Sequence, residues 1–531
     1  MDVRLGLAAA SLAIALALPA QALADVSSNE AERIADAAPE VAEVEADRGR
    51  LETTVTGEDA AAWRVSYFDG DREVAQVIVE RDDGAVREAW TGHQVAWRMA
   101  RGYEGQFGHK LNAPYVWIPL ALIFFFGLLD WRRPLRIVHL DLLVLLSFGV
   151  GHIFFNDGEI GLSVPLAYPP LVYLLARMLW IGFRGRSDGL RPTVPVVWLT
   201  VAIAFLVAFR VTMNVADSGV IDVGYSGVIG ADRIAHGDPV YGEQAFPDDN
   251  PTGDTYGPAN YYAYIPFELA LPWSGEWDEL PAAHAAAIFF DLATVAGLFF
   301  CGRRLLRDDD DEPTSEGAAL GVVLAFAWVA YPYTAFALQS NSNDSLVAAL
   351  LVWALVAFSS PAGRGALLGI AAMTKFAPLA LAPLFAAGER GLAGRPPWRP
   401  LLTFAGVFAV ALGLLLAHPA IDPGLATFWD RTLGSQLDRS SPFSVWGQEP
   451  GLDWLQTALW VGVAAVAVLV AFLPRERSLA RVAALGAAVL LASQLAVDHW
   501  FYLYIPWFLP LLLAALGSRV APRPAAGTSE A

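Results

Sequence analysis

Asp222 stands ten residues beyond an apolar run (193–212), in the segment "NVADSGVIDVGYSGVIGADRIAHGDPVYG". From Met213 to Pro281 carboxylates and aromatics alternate with Gly and Pro turns, and Arg233 is the sole Lys or Arg. A carboxylate in such a loop can take a proton from an acceptor hydroxyl, a general-base step worth roughly 10²–10⁴ in rate. Asp222 is the first candidate. Asp232, beside Arg233 in an expected helix Tyr225–His236, and Asp254 are the alternates, while Asp217 lies too near the end of the apolar run. Asp254 and Glu268 bracket "YGPANYYAYIPFE", where they and Asn343 could orient sugar hydroxyls. Tyr241, Tyr256, Tyr261 and Trp446 offer rings to stack on a sugar face.

A membrane-bound transferase that takes a sugar from a lipid-linked phosphate would also need cations for the phosphate leaving group. Lys375 is one of two lysines and lies inside an apolar stretch, 365–387, beside Pro378 and Pro383. An ionisable residue at membrane depth marks a functional site by default. The competing readings are snorkelling or a structural pair with Asp291 or Asp344. Arg431, Arg439 and His499 could assist it. Arg210, Arg233 and His418 also lie where Lys and Arg are otherwise scarce, and ion pairs with Asp430 or Asp438 are an equally open role for the nearby arginines.

These residues must be positioned by membrane helices. The chain has 531 residues, 55% of them hydrophobic, with mean hydropathy +0.44. Apolar runs of about 20 residues, the length that crosses a bilayer as helix, recur from Asn112 onward. Helices satisfy their own backbone in lipid, so the fold class is an all-α polytopic membrane protein with a small exported α+β domain at its N-terminus. Basic loops mark the cytoplasmic side. Walking that rule down the chain gives about eleven crossings and places the 213–281 loop outside. Residues 365–387 have basic flanks on both sides, "SPAGRG" and "GERGLAGRPPWRP", so a re-entrant or broken helix pair, Gly365–Lys375 and Phe376–Ala387, keeps every later loop consistent.

The expected organisation is a signal peptide (1–24), an exported module (25–111), a three-span extension (112–192), a core (193–516) and a cytoplasmic tail (517–531). Cleavage after Ala24 follows from the Ala-Leu-Ala exit of an apolar leader. The module's pattern predicts a helix over Ala31–Asp47 and three strands, "WRVSYF", "REVAQVIVE" and "AVREAW", joined by Asp-Gly turns. A formal charge of -19 argues against nucleic-acid binding. Cys301 is the single cysteine, and with no HExxH or paired His at helical spacing no metal site or other cofactor is expected.

The segments "DVGYSGVIGADRIAHGDPVYG", "YGPANYYAYIPFE", "LQSNSNDSLVAALLVWALV", "GIAAMTKFAPLALAPLF", "FWDRTLGSQLDRSSPFSVWG" and "HWFYLYIPWFLPLLL" follow one another in the order seen in glycosyltransferase family 87, and residues 193–516 resemble it. The resemblance implies a GT-C-type hexosyltransferase of the plasma membrane that uses a polyprenyl-phosphate sugar, often mannose, and passes it to a glycan or lipid acceptor. It implies Asp222 as base and "MTKFAP" as part of the donor pocket. Leu338-Gln339 departs from the family's usual Gly-Gln. The exported module, closed by "DDGAVREAWTG", resembles a PepSY domain, which implies a small binding or inhibitory role. A transporter or flippase for a lipid-linked or anionic solute is the alternative; it predicts internal repeats, and none is evident in the sequence.

Overall fold

The computed structural model describes residues 25–517, apart from positions 71, 104, 186, 243–244, 247–249, 251, 277–279, 307–313, 394–396 and 438–440. The expected signal peptide and almost all of the expected tail lie outside the described residues. The chain forms two compact units, one ending at Arg101 and one beginning at Gly102.

In the first unit, helices α1 (Ser28–Asp36) and α2 (Pro39–Arg48) cover a four-stranded antiparallel sheet in the order β1-β2-β3-β4. The strands are β1 (Glu52–Gly57), β2 (Ala62–Asp69), β3 (Arg72–Glu80) and β4 (Val86–Thr91). Val65, Tyr67, Val74, Val77 and Val79 pack against Ala31, Ala35 and Val41 to make its core. Two features differ from the sequence expectation of one helix and three strands. Pro39 has no N–H to give and disfavours helical backbone at Ala38, which is extended at φ -68° and ψ 133°; the single expected helix is therefore split in two. The extra strand, "ETTVTG", pairs along its whole length with β2, from Glu52 opposite Phe68 to Gly57 opposite Trp63. Its Thr-rich composition carries β-propensity but little apolar alternation. The Asp-Gly turn before β3 is as expected, with Gly70 at φ 62°, a conformation that costs Gly little and other residues more.

The second unit is helical. Its elements are α3 (Pro114–Leu128), α4 (Ile137–Asn156), α5 (Ile160–Arg184), α6 (Val196–Asp217), α7 (Asp222–His236), α8 (Pro258–Ala270), α9 (Pro281–Leu305), α10 (Ser315–Ala330), α11 (Pro332–Gln339), α12 (Asp344–Val356), α13 (Pro361–Ala372), α14 (Ala382–Ala387), α15 (Trp398–Ile421), α16 (Asp453–Phe472), α17 (Leu479–Ala496) and α18 (Ile505–Gly517). Among the described residues seven of these are long and apolar enough to cross a membrane, or eight if the bent pair α10–α11 counts as one span. The count of about eleven crossings expected from run lengths is not confirmed by these helices. The runs at 112–130, 345–359 and 499–516 form apolar helices of 10–17 residues. At 1.5 Å per residue these fall short of a hydrocarbon core of about 30 Å.

Helix α17 is almost wholly enclosed by other helices, whereas few residues of α15 are fully enclosed. The chain is thus a multi-pass membrane protein with a central and a peripheral layer. Helices α9 and α10 meet backbone to backbone, because a Cβ on Gly302 would lie 2.3 Å from Gly321 N; small residues permit this approach where apolar solvent gives helices no other drive to associate.

Two breaks interrupt the bundle. Pro332 separates α10 from α11, and the two helices are bent by 58°. The stretch 365–387 also breaks: α13 ends at Ala372, and a 3₁₀ turn, Ala377–Leu381, with Pro378 in its first turn, leads into α14. Lys375 sits in the gap between them.

Candidate active site at two helix breaks

The residues that close the two breaks face each other. Lys375 Nζ donates to Asp344 Oδ1 at 2.6 Å, and the Trp507 indole N–H donates to the same oxygen at 2.6 Å. The ammonium group lies over the rings of Trp507, Tyr504 and Tyr256, at 5.0, 5.6 and 5.8 Å from their centroids. Such faces attract a cation without neutralising it. Tyr504 and Trp507 stack at 4.2 Å, fixing the wall of this cage. Asp344 is the first residue of α12, where the helix dipole favours negative charge.

Asp344 belongs to a polar stretch, Gln339–Ser345, that is buried throughout. Asn341 turns the chain between α11 and α12 at φ 50°, a left-handed conformation that Asn tolerates better than most residues. Its side-chain amide donates to Ser218 Oγ and Gly219 O, and Asn214 donates to both Leu338 O and Asn341 Oδ1. The α10–α11 bend therefore carries a sequence with no apolar period into the interior and holds it there by hydrogen bonds.

Asp222 is mounted on the same stretch. Gly219 N and Ile221 N donate to Gln339 O and Ser340 O. A Cβ on Gly224 would lie 2.4 Å from Asn341 O, so the α7 backbone can come this close only with glycine there. Asp222 opens α7 and is exposed, while its carbonyl accepts from Ser226 Oγ at 2.7 Å and Asn250 Nδ2 at 3.2 Å. The carboxylate thus sits at a helix N-terminus with its backbone clamped.

The alternates are engaged otherwise. Asp254 is buried and receives Arg431 through two bonds, Nε to Oδ2 at 2.6 Å and Nη2 to Oδ1 at 3.0 Å, as well as the amide of Gly242. Bidentate pairs of this kind are strong and directional, so Asp254 and Arg431 tie loop 238–257 to the π-helical turn Asp430–Gly434. Asp232 lies beside His236, with its Oδ1 3.2 Å from Nδ1, while Arg233 donates to Pro239 O instead. The hydrogen bond to the Asp232 carbonyl, and then that residue's negative charge, raise His236 above the usual imidazole range.

Of the aromatics, Tyr256 is the one that reaches Lys375. Tyr241 and Tyr261 are core residues whose hydroxyls bond Tyr256 O and Gly253 O, and burial holds both phenols well above their usual range. Trp446 is buried with its N–H on Leu495 O. None of these three rings offers an open face to a sugar, because tertiary packing has taken them. Glu268 is buried on α8. Asn343 donates to Asn260 Oδ1 at 2.8 Å, directly beside Asp344. His499 bonds Ser441 at 2.8 Å and meets Tyr504 at 6.2 Å between ring centroids, one ring removed from Lys375. Arg439 lies outside the described residues. Singly, Asp344 entered the sequence reading only as a partner for Lys375; Tyr504 and Trp507 entered it only as part of the segment "HWFYLYIPWFLPLLL". Nothing in their local pattern separates them from membrane-anchoring aromatics. Among the described residues no group of three or more His, Cys, Asp or Glu is placed to hold a metal ion.

Residues 255–496 match the model of glycosyltransferase family 87. The matched segment includes Tyr256, Asp344, Lys375 and Arg431, and it begins after Asp222. No curated protein matches the chain.

Proposed function

We propose that the chain is a GT-C-type membrane glycosyltransferase that moves a hexose from a polyprenyl-phosphate donor to an extracytoplasmic acceptor with inversion. The observation that carries this reading is the Lys375 ammonium group, held inside an apolar bundle by one carboxylate and three rings. An ammonium has three N–H donors. Asp344 uses one, and the other two are available to an anionic oxygen. The similarity of residues 255–496 to glycosyltransferase family 87 supports reading that anion as the phosphate of a lipid-linked sugar.

In this mechanism the donor lipid lies between helices and its phosphate meets Lys375, with His499 one ring removed. The acceptor hydroxyl attacks the anomeric carbon from the side of α7. As the new C–O bond forms, its proton passes to Asp222 and the bond from the anomeric carbon to the phosphate oxygen breaks. Phosphate departs as an anion, so no general acid is required. Arg431 is taken as the brace that holds the loop through Asp254 and not as a free phosphate ligand. The α+β unit before Gly102 is read as an exported PepSY-like accessory module.

The test is transfer of radiolabelled hexose from a polyprenyl-phosphate donor in membranes, mannose first. Asp222→Asn should insert normally and lose about 10²–10⁴ in rate. Near-normal transfer in that variant would end its assignment as base.

A further inference from the structure

The stretch around Asp344 holds more hydrogen-bonding capacity than the Lys375 pair uses. Asp344 divides its carboxylate: Oδ1 takes both Lys375 and Trp507, whereas Oδ2 is buried with no partner. Asn343 and Asn260 spend one bond on each other, which leaves Asn343 Oδ1 and Asn260 Nδ2 unused. Ser345 Oγ and Tyr264 OH are also buried without partners. All five side chains belong to residues no more than 1% exposed. Asn343, Asp344 and Ser345 are consecutive at the start of α12, while Asn260 and Tyr264 lie one turn apart on α8. Burial, and then the charge of Asp344, push the Tyr264 hydroxyl above its usual range, so it keeps its proton and can donate.

Unmet buried polar atoms cost stability, and folded proteins keep few of them. Their gathering at the starts of α8 and α12, which the Asn343–Asn260 bond joins and of which Asp344 holds Lys375, points to a ligand that supplies the missing partners. The patch mixes two bare acceptors, one amide donor and two hydroxyls. An anion does not fit, because Asp344 Oδ2 would repel it, and a hydrocarbon would leave every group unmet. A polyol fits, since each of its hydroxyls both donates and accepts. Resting on the glycosyltransferase reading, we propose that Asn260, Asn343, Asp344, Ser345 and Tyr264 bind the hydroxyls of the donor's hexose while Lys375 holds its phosphate. Asp344 then links the two halves of one substrate: one oxygen sets the phosphate-binding cation and the other reads the sugar.

The experiment uses the full chain in nanodiscs and two probes, a polyprenyl phosphate carrying a hexose and the same lipid with bare phosphate. Affinity and thermal shift are measured for the wild type, Asn260→Ala and Ser345→Ala. The proposal expects the hexosyl lipid to bind wild type more tightly than the bare lipid. It also expects each variant to lose about tenfold for the hexosyl lipid, the scale of one hydrogen bond, and nothing for the bare one. Equal affinity of wild type for the two lipids would overturn it, as would equal losses for both lipids in the variants, the result for a patch that merely holds buried water. Ser345→Ala is the gentler change if Asn260→Ala fails to fold. Binding of neither lipid would overturn the glycosyltransferase reading and this assignment with it.

Discussion

Arg210–Asp291 and Lys375–Asp344 are built from the same parts. In each a cation meets a buried carboxylate at 2.6 Å, and in each a Trp indole donates to that same oxygen, Trp328 at 2.8 Å in one and Trp507 at 2.6 Å in the other. The surroundings differ. Arg210 also donates to Trp328 O and Thr334 Oγ1, and the pair is closed on all sides, with side chains 1% and 4% exposed. Lys375 has rings in place of further acceptors, its side chain is 10% exposed, and the second oxygen of Asp344 is unmet. A guanidinium presents a planar fork that can be satisfied from several directions at once, whereas an ammonium is a compact charge with rotatable donors. The first pair leaves one guanidinium donor, Arg210 Nε, unmet; the second leaves a bare carboxylate oxygen beside an ammonium faced by rings.

The widest gap between the two should come from single and paired replacements. Asp291→Ala strands a buried guanidinium and should cost about 3–5 kcal/mol, read as a fall in thermal stability in detergent. Replacing both partners, Arg210→Met with Asp291→Leu, should recover most of that stability and leave transfer intact, since an apolar pair of similar volume is often neutral. Lys375→Met with Asp344→Leu should also fold, yet abolish sugar transfer. Loss of activity in the first double variant, or its retention in the second, would erase the distinction between them.

A smaller effect tests how the second pair is placed. Gly257 precedes α8, and a Cβ there would lie 2.1 Å from Met373 O. Gly257→Ala should displace Tyr256 from Lys375 and lower donor use several-fold, with a stability cost of about 1–3 kcal/mol typical of overpacking. Unchanged donor dependence would show that Tyr256 is not needed in the cage.

The smallest effect belongs to the exposed pair Asp232–His236, which serves as a solvent-side control. His236 is raised above the ordinary imidazole value of about 6.5, so its contribution is complete below that pH and is lost as pH rises through the higher folded value. The thermal stability of wild type should therefore decline slightly more than that of His236→Ala as pH increases past 6.5. An equal or opposite slope would remove this pair from the comparison.

The sequence showed these elements unevenly, and the reasons are physical. Strands β2, β3 and β4 were legible because apolar alternation and Asp-Gly turns are local signals. The break at Lys375 was legible because residues 365–387 carry basic flanks on both sides and Pro378 suits the first turn of a helix better than its middle. Crossing number is not confirmed, since an apolar run does not say how much of it is helix: the run at 345–359 overlaps a helix of 13 residues, Asp344–Val356. The cation's partner was readable only as one of two carboxylates, because 31 residues separate Lys375 from Asp344. Trp507 lies 163 residues from Asp344, and no local pattern announces a contact at that range. Tyr241 and Tyr261 taught the reverse lesson, as loop composition marked them for ligand stacking and packing then enclosed them.

The Ala259 amide, in the first turn of α8, donates to Met373 O at the end of α13 at 3.0 Å. One helix's surplus donor and another's surplus acceptor thereby complete each other. Neither end can fray without exposing its counterpart, so the start of α8 and the approach to Lys375 should open as one cooperative unit of local unfolding. The exchange rate of that single amide with solvent deuterium then becomes a gauge of the whole site, slowing whenever a ligand holds the break shut.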